Sequence, residues 1–299
     1  MSVPTIPGFR YERLTGDDGI EIATATGGSG EPIVLLHGFP QTHLMWRHVA
    51  PDLARTHTVI CPDLRGYGNS DKPEPTGPDT YAKRTMARDI IAVARNLGHE
   101  RFALVGHDRG ALVAVRAGLD HPQSISHLGI LDVLPTIDMW NVLHGVQAAV
   151  AWHLYLMAQP APLPERMITA VADDFFGSFL DGWGGDASVI PADIRAHYLD
   201  CSRGAIASIV ADYRASAGVD LEQDTASRDT GHQLTMPVGV LSQDWGSQLG
   251  FNAGDLWKAW APDFEYHPIE AGHFAAESHP TEVAQFIQNL IARPLSRRD

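Results

Sequence analysis

Over the first 134 residues, short apolar runs alternate with longer stretches whose apolar residues recur at helical spacing. Continuous apolar runs are typical of strands buried on both faces of a parallel sheet, and helical spacing is typical of helices that cover such a sheet. Strands are predicted at 21–26, 33–36, 57–63, 102–105 and 128–131, and helices at 44–56, 81–97 and 111–118. This alternation predicts right-handed crossovers, and therefore an α/β fold with a mainly parallel sheet.

The pattern changes between residues 135 and 230. This segment lacks runs typical of buried strands, is rich in helix formers, Trp and Met, and is interrupted by a proline-rich stretch at 159–164 and by Gly-Trp-Gly-Gly at 182–185. Strand patterns return at 237–241 and 264–269, and a last helix is predicted at 280–292. We therefore expect an α/β core formed by residues 1–134 and 231–299, with 135–230 inserted as a helical cap.

Charge and composition narrow the classes of partner. The chain of 299 residues carries a formal net charge of −14 at pH 7, which argues against nucleic acid or an anionic membrane and favours a small-molecule substrate. Cys61 and Cys201 are predicted to be free thiols, and neither a basic-apolar leader nor an apolar run of membrane length is present. These features predict a cytoplasmic protein. Without a metal-ligand cluster or a dinucleotide glycine pattern, no cofactor is expected.

Val-Gly-His-Asp-Arg-Gly at 105–110 lies between a predicted buried strand and a predicted helix. Small residues two positions either side of Asp108 allow the sharp turn of a nucleophile elbow, which lifts the central side chain off the sheet. A carboxylate in this position attacks a saturated carbon, expels halide or opens an epoxide, and leaves an ester that water then hydrolyses. The simpler alternative is that Asp108 only caps the helix that follows.

Hydrolysis of such an ester needs oxyanion donors, a base and a group that orients the base. The backbone N–H groups of Phe39, directly after a strand, and Arg109, directly after Asp108, are the candidate donors. His273 is the candidate base because it lies between the last predicted strand and the last helix. Two carboxylates could orient it, Asp132 and Asp244, and we favour Asp132 because Asp244 lacks the usual Gly-x-x-Asp sequence.

With these residues in place, the chain resembles the aspartate-nucleophile α/β-hydrolases, the haloacetate (fluoroacetate) dehalogenases and epoxide hydrolases. The most specific segments are 37–46 (His-Gly-Phe-Pro-Gln-Thr-His-Leu-Met-Trp), 63–71 (Asp-Leu-Arg-Gly-Tyr-Gly-Asn-Ser-Asp), 106–110, 131–136 (Leu-Asp-Val-Leu-Pro-Thr) and 158–165 (Ala-Gln-Pro-Ala-Pro-Leu-Pro-Glu). The resemblance implies the α/β-hydrolase fold with a helical cap, supports Asp132 as the triad acid, and implies a homodimer.

The resemblance also assigns roles in substrate binding. It implies that Arg109 grips a substrate carboxylate, and that His153 and Tyr213 hold the departing halide. Two positions depart from the family pattern: Leu112 stands where a second carboxylate-binding arginine is expected, and Leu154 stands where a halide-binding Trp is expected. Both changes predict a larger and more apolar pocket.

Three functions remain open from the sequence. Hydrolytic dehalogenation of a haloacetate or small 2-haloacid comes first, because Arg109, His153 and Tyr213 fit it together. Epoxide hydrolysis comes second, with Tyr213 as proton donor to the leaving alkoxide and His153 or Tyr155 as its partner. A ligand-binding homologue without catalysis comes third, and the pair Asp108 and His273 argues against it.

Overall fold

The computed structural model describes residues 4–184, 188–244 and 249–295. Its described strands form one sheet: Arg10–Thr15 (β1), Glu21–Gly28 (β2), Pro32–Leu36 (β3), Thr58–Pro62 (β4), Phe102–His107 (β5), Ile125–Leu131 (β6), Val238–Ser242 (β7) and Phe264–Pro268 (β8). The strand order is β1-β2-β4-β3-β5-β6-β7-β8. β1 pairs with β2, and β2 with β4, in antiparallel orientation. All other neighbouring pairs, from β4-β3 to β7-β8, are parallel. This arrangement confirms the predicted α/β fold with a mainly parallel sheet.

Helices flank the sheet and follow most of its strands. The α-helices that precede β6 in the chain are Ala50–Leu53 (α1), Lys83–Asn96 (α2) and Arg109–Asp120 (α3). Those after β7 are Ala253–Trp257 (α11), Ala275–Ser278 (α12) and Pro280–Ile291 (α13). Short 3-10 turns lie at Asp17–Gly19, His43–Trp46, Pro78–Tyr81 and Gly145–Ala149. Within the three described ranges, no helix is both long enough and apolar enough to cross a membrane.

Between β6 and β7 the described chain is helical. Its α-helices, called the cap helices below, are Thr136–Val142 (α4), Trp152–Met157 (α5), Leu163–Ala170 (α6), Ala172–Gly182 (α7), Ala192–Arg203 (α8), Ile206–Ser216 (α9) and Val219–Asp229 (α10). They are tied to the core by buried hydrogen bonds, for example from Ser208 Oγ to the Gly66 carbonyl, 2.6 Å, and from Ser202 Oγ to the Pro40 carbonyl, 3.2 Å. That residues 135–230 form a domain of their own stays a prediction.

One sequence-based expectation about an element was wrong, and one strand was missed. The helix predicted at 44–56 is a 3-10 turn, His43–Trp46, followed by the short α1. Pro51 lies in the first turn of α1, where its missing N–H costs nothing, and it prevents a continuous helix through this point. β1 was not predicted, because this edge strand pairs with β2 alone and none of its residues is buried.

The core forms where the apolar faces of the helices meet the sheet. Every residue of β3 and β5 is buried, which explains their continuous apolar sequences. The carboxyl ends of the parallel strands β3, β5, β6 and β7 lie side by side, so that the segments directly after them meet at one edge of the sheet.

Candidate active site

Asp108 occupies a strained turn between β5 and α3. Its φ of 47° lies in the left-handed region that non-glycine residues seldom adopt. A Cβ on Gly106 would come within 2.4 Å of the Gly110 carbonyl oxygen, and one on Gly110 within 2.3 Å of the His37 carbonyl oxygen. Both positions therefore require glycine. The Asp108 side chain makes no capping hydrogen bond to α3, so the capping alternative is wrong.

Two backbone segments surround the Asp108 carboxylate. The Phe39 N–H, just beyond β3, donates to Asp108 Oδ2 over 2.8 Å. A Cβ on Gly38 would lie 2.5 Å from Asp108 Cβ, so glycine allows this close approach. Arg109 is the first residue of α3, and N–H groups in a first turn have no acceptor within the helix. Both predicted oxyanion donors therefore belong to segments that meet at Asp108.

His273 lies between the carboxylates of Asp108 and Asp132. Its Nδ1 is 2.6 Å from Asp132 Oδ2, and its Nε2 is 3.9 Å from Asp108 Oδ1. Burial lowers the pKa of His273, but the hydrogen bond and charge of Asp132 and the charge of Asp108 outweigh it, so the pKa is raised. His273 Nε2 is buried and has no hydrogen-bond partner among the described residues. It is therefore available to a water molecule beside Asp108.

The backbone of His273 is held from two sides. Its N–H donates to the carbonyl of Trp183, at the end of α7, over 2.8 Å. Its carbonyl lies 2.8 Å from Nε2 of His107, and burial lowers the pKa of His107 to about 4. The neutral His107 ring therefore donates to this carbonyl, and both the core and a cap helix position the candidate base.

Asp132 is held by residues that the sequence analysis missed. Ser242 Oγ and the Gln243 N–H each lie 3.1 Å from Asp132 Oδ1, and Gln243 Nε2 donates to Oδ2 over 2.7 Å. Burial raises the pKa of Asp132, but its hydrogen bonds and the nearby histidine lower it overall. Asp244, the other candidate, is exposed. The structure thus brings Asp132, and not Asp244, to His273. The position of Gln243 at the carboxyl end of β7 was the feature of the sequence that could have indicated its contact with Asp132.

Arg109 is directed towards the cap. Its Nε donates to Asp212 Oδ2 over 2.8 Å, and its Nη2 donates to the Asp212 carbonyl at 3.0 Å and to Ser216 Oγ at 2.8 Å. Its guanidinium carbon lies 4.1 Å from the centre of the Tyr213 ring, a cation–π contact. Arg109 also lines the cavity described below. Asp212 was missed by the sequence analysis, although it directly precedes Tyr213.

Aromatic side chains from the cap surround the site. The ring of His153 lies 5.0 Å from that of Trp183 and 5.6 Å from that of Tyr213, and Trp183 also lies 5.0 Å from His273. Burial lowers the pKa of His153 to about 3, so this ring is neutral. Trp183 is a further residue that the sequence analysis missed, because no motif connects it with His153.

Two other aromatic side chains near His153 point elsewhere. Trp152 is 46% exposed and stacks on Phe179. The Tyr155 hydroxyl donates to the Leu143 carbonyl over 2.7 Å, and Tyr155 does not belong to the described cavity lining. Tyr155 is therefore not placed to assist Tyr213 in protonating a leaving group.

One cavity connects these groups, and it encloses about 790 Å³ when the space at its mouth is included. Its polar lining residues are Asp108, Arg109, Asp132, His153, Trp183, Tyr213, Ser242 and His273. Its apolar lining residues are Leu112, Val133, Leu134, Met139, Leu143, Val150, Ala151, Leu154, Leu249 and Phe251. Leu112 and Leu154 thus both line the cavity. Within the described ranges, no group of three or more His, Cys, Asp or Glu side chains could hold a metal ion.

The comparisons with known proteins agree with this geometry. A family model described as the alpha/beta hydrolase fold matches residues 31–280. The chain is 39% identical over 293 residues to a fluoroacetate dehalogenase from Burkholderia sp., covering 94% of each chain. It is 32% identical over 272 residues to a soluble epoxide hydrolase from Corynebacterium sp. (strain C12), covering 88% of this chain and 91% of that one.

A solved structure from Pseudomonas aeruginosa shares the whole fold. It superimposes with a TM-score of 0.91 at 38% identity, covering 97% of this chain and 98% of that one. With a family model over most of the chain and relatives that match nearly all of it, the chain belongs to the alpha/beta hydrolase fold family and is a hydrolase.

Proposed function

We propose that this hydrolase cleaves a carbon–halogen bond next to a carbonyl group, as in a small 2-haloacid, through an ester on Asp108. The observation that carries the proposal is the continuous arrangement of Asp108, His273 and Asp132 at one cavity, with Nε2 of His273 3.9 Å from the Asp108 carboxylate. This spacing leaves the base near the carbonyl carbon that a water molecule must attack.

In the first step Asp108 Oδ1 attacks the carbon, a C–O bond forms, and the C–halogen bond breaks to release halide. Oδ2, which accepts the Phe39 N–H, becomes the ester carbonyl oxygen. In the second step His273 Nε2 takes a proton from water, and the hydroxide adds to the Asp108 carbonyl carbon. The Phe39 and Arg109 N–H groups stabilise the oxyanion. Collapse releases the alcohol, which takes its proton from His273. The water oxygen stays in the Asp108 carboxyl group, which loses the second water proton to solvent and returns to the carboxylate.

The cap supplies groups for the leaving halide. His153, Trp183 and Tyr213 line the same cavity as Asp108, and each carries an N–H or O–H donor. Because His153 is neutral, one of its ring nitrogens carries the hydrogen and can donate it to an anion. The family resemblance places a halide-binding Trp at position 154, where this chain has Leu154. The indole N–H of Trp183 could take over this role. The fluoroacetate dehalogenase relative, 39% identical over 94% of this chain, supports this assignment.

Epoxide hydrolysis is the second candidate, and a specific observation favours it. An epoxide carries no charge, and the one arginine or lysine among the described lining residues, Arg109, is already paired with Asp212. Tyr213 would protonate the alkoxide, with His153 beside it. The relative named a soluble epoxide hydrolase, 32% identical over 88% of this chain, supports this alternative.

Intact-protein mass spectrometry of His273→Ala separates the candidates. Without the base, the protein should stall at the Asp108 ester. A small 2-haloacid derivative should then increase the protein mass by its own mass minus that of hydrogen halide, and an aryl epoxide should increase it by its full mass. The matched control is His273→Ala combined with Asp108→Ala, which must show no adduct. Absence of an adduct with both classes of compound would refute the proposal, require a search among other substrates and favour the ligand-binding alternative more than before.

Two broader expectations are also proposals. We propose that the protein acts in the cytoplasm, as its free thiols at Cys61 and Cys201 imply, and forms a homodimer, as the family resemblance implies. Size-exclusion chromatography with light scattering tests the dimer, because a mass near 32.5 kDa would show a monomer.

A further inference from the structure

The guanidinium of Arg109 has little left to offer a substrate. Arg109 is 1% exposed, and three of its five N–H groups already donate to Asp212 and Ser216 of α9. A substrate carboxylate gains most from an arginine through two parallel hydrogen bonds. Here the Nε and Nη2 edge that would form such a pair is occupied by the cap.

The charge of Arg109 is compensated as well. Asp212 is fully buried and also accepts hydrogen bonds from Lys83 Nζ and, over 2.6 Å, from the Tyr67 hydroxyl. Lys83 Nζ lies 3.4 Å from a second buried carboxylate, that of Asp220. Two cations and two carboxylates thus cancel within one buried cluster behind the cavity, so the cluster presents little net positive charge to a bound anion.

The rest of the cavity adds no positive charge of its own beyond the candidate base. Arg109 is the one arginine or lysine among the described lining residues, which also include the carboxylates of Asp108 and Asp132. Leu112, one turn along α3 from Arg109, points into the cavity and also borders a small polar cavity lined by Lys83 and Asp220. Its apolar side chain therefore separates the substrate from the cluster.

Resting on the proposed function, we infer that Asp212 is a specificity-determining residue: by pairing with Arg109, it makes this site prefer substrates that are uncharged at the end facing Arg109 and Leu112. The substrate class is thus 2-halo amides, esters or ketones, in preference to 2-halo carboxylates. A carboxylate at this end would lose its hydration without gaining a free cation, and an amide would lose much less.

A matched pair of compounds tests the inference on the existing chain. 2-Chlorobutanamide and 2-chlorobutanoate differ only in the charged end, and the rate of adduct formation on His273→Ala is measured for each by intact mass. Each rate is divided by that compound's reaction with free acetate, which corrects for intrinsic reactivity. We expect the amide to be favoured about tenfold or more. Equal rates or a preference for the acid would overturn the inference.

A second variant adds the missing cation. Leu112→Arg should raise the corrected rate for the acid relative to the amide by about ten- to a hundredfold, because the site gains an unpaired charge. Leu112→Met is the matched control of similar volume without charge, and it should leave the ratio unchanged. A ratio that stays constant in Leu112→Arg, in protein whose melting temperature is retained, would contradict the inference.

Binding of unreactive analogues keeps this test separate from the proposed chemistry. 2-Methylbutanamide and 2-methylbutanoate have the same shapes but cannot alkylate Asp108, and their dissociation constants can be measured by calorimetry. Tighter binding of the amide supports the charge inference even if neither chloro compound reacts. In that case the proposed dehalogenation fails alone. Tighter binding of the acid would overturn the inference whatever the chemistry.

Discussion

Replacement of Asp132 by Asn tests the roles of the site residues most directly. The carboxylate lies 2.6 Å from His273 Nδ1, and its charge and hydrogen bond both help to raise the pKa of His273. A charge-assisted hydrogen bond of this kind contributes about 1.5–3 kcal/mol. An Asn side chain can also present its NH₂ group to Nδ1, which would place the ring hydrogen on Nε2, where the water must bind.

The expected loss falls on one step only. General-base assistance contributes about 10²–10⁴ in rate, so ester hydrolysis should slow by about that factor. Formation of the Asp108 ester does not use the base, and its rate should change by less than about threefold. In a single turnover followed by rapid quench and intact mass, Asp132→Asn should accumulate the ester, whereas the wild type should not.

The pH dependence gives a second readout. The base must be neutral to accept a proton, so hydrolysis by the wild type should rise with pH as His273 loses its proton. Against the lowering by burial, the hydrogen bond and charge of Asp132, which persist in the ester, raise the pKa of His273 and hold this midpoint up. In Asp132→Asn the midpoint should move to lower pH. The control is Asp244→Asn, which should keep both rates. An equal fall of both steps in Asp132→Asn, or ester accumulation in Asp244→Asn instead, would refute the assignment.

Three further changes have defined outcomes. Gly110→Ala should destabilise the fold by about 1–3 kcal/mol in chemical denaturation, because its Cβ would meet a backbone oxygen, whereas Gly182→Ala, with open space around its Cβ, should not. Burial raises the pKa of Glu277 to about 7, so the stability that its protonated form contributes is present below its ordinary pKa and is lost as pH rises to about 7. Glu277→Gln should remove about 3 kcal/mol of this pH dependence of the free energy of unfolding. If the slope of melting temperature against pH from 5 to 8 is the same in the variant, this role of Glu277 is contradicted. Leu154→Trp should narrow the cavity and favour two-carbon over longer halogenated substrates by about tenfold or more in kcat/KM, and the opposite change would show that Leu154 does not limit substrate size.

The sequence was sufficient to predict those strands whose pattern of apolar residues matches their burial in the structure. The apolar sequences of β3 and β5 predicted buried parallel strands, because a strand covered on both faces has no polar side. β1 escaped prediction because its exposed edge position leaves it without a clear apolar face. The helix predicted at 44–56 failed because Pro51 interrupts an otherwise helical spacing.

The candidate site was predictable where chemistry depends on one short segment. Glycines around Asp108 indicated the turn, and chain order indicated His273 and Asp132. The side chains that surround them were harder to predict because their contacts join distant parts of the chain: Asp212 meets Arg109 across 103 positions. Trp183 likewise reaches the site through the packing of α7, which no local pattern specifies.

The short separation between His273 Nε2 and Asp108 Oδ1, 3.9 Å, makes the proposed base responsive to the charge of the proposed nucleophile. While Asp108 is a free carboxylate, its charge helps to hold a proton on His273. In the proposed reaction, ester formation neutralises Asp108 and withdraws that support, so the histidine releases its proton more easily. The base thus becomes competent when the ester that it must hydrolyse has formed, and the first half of the cycle sets the timing of the second.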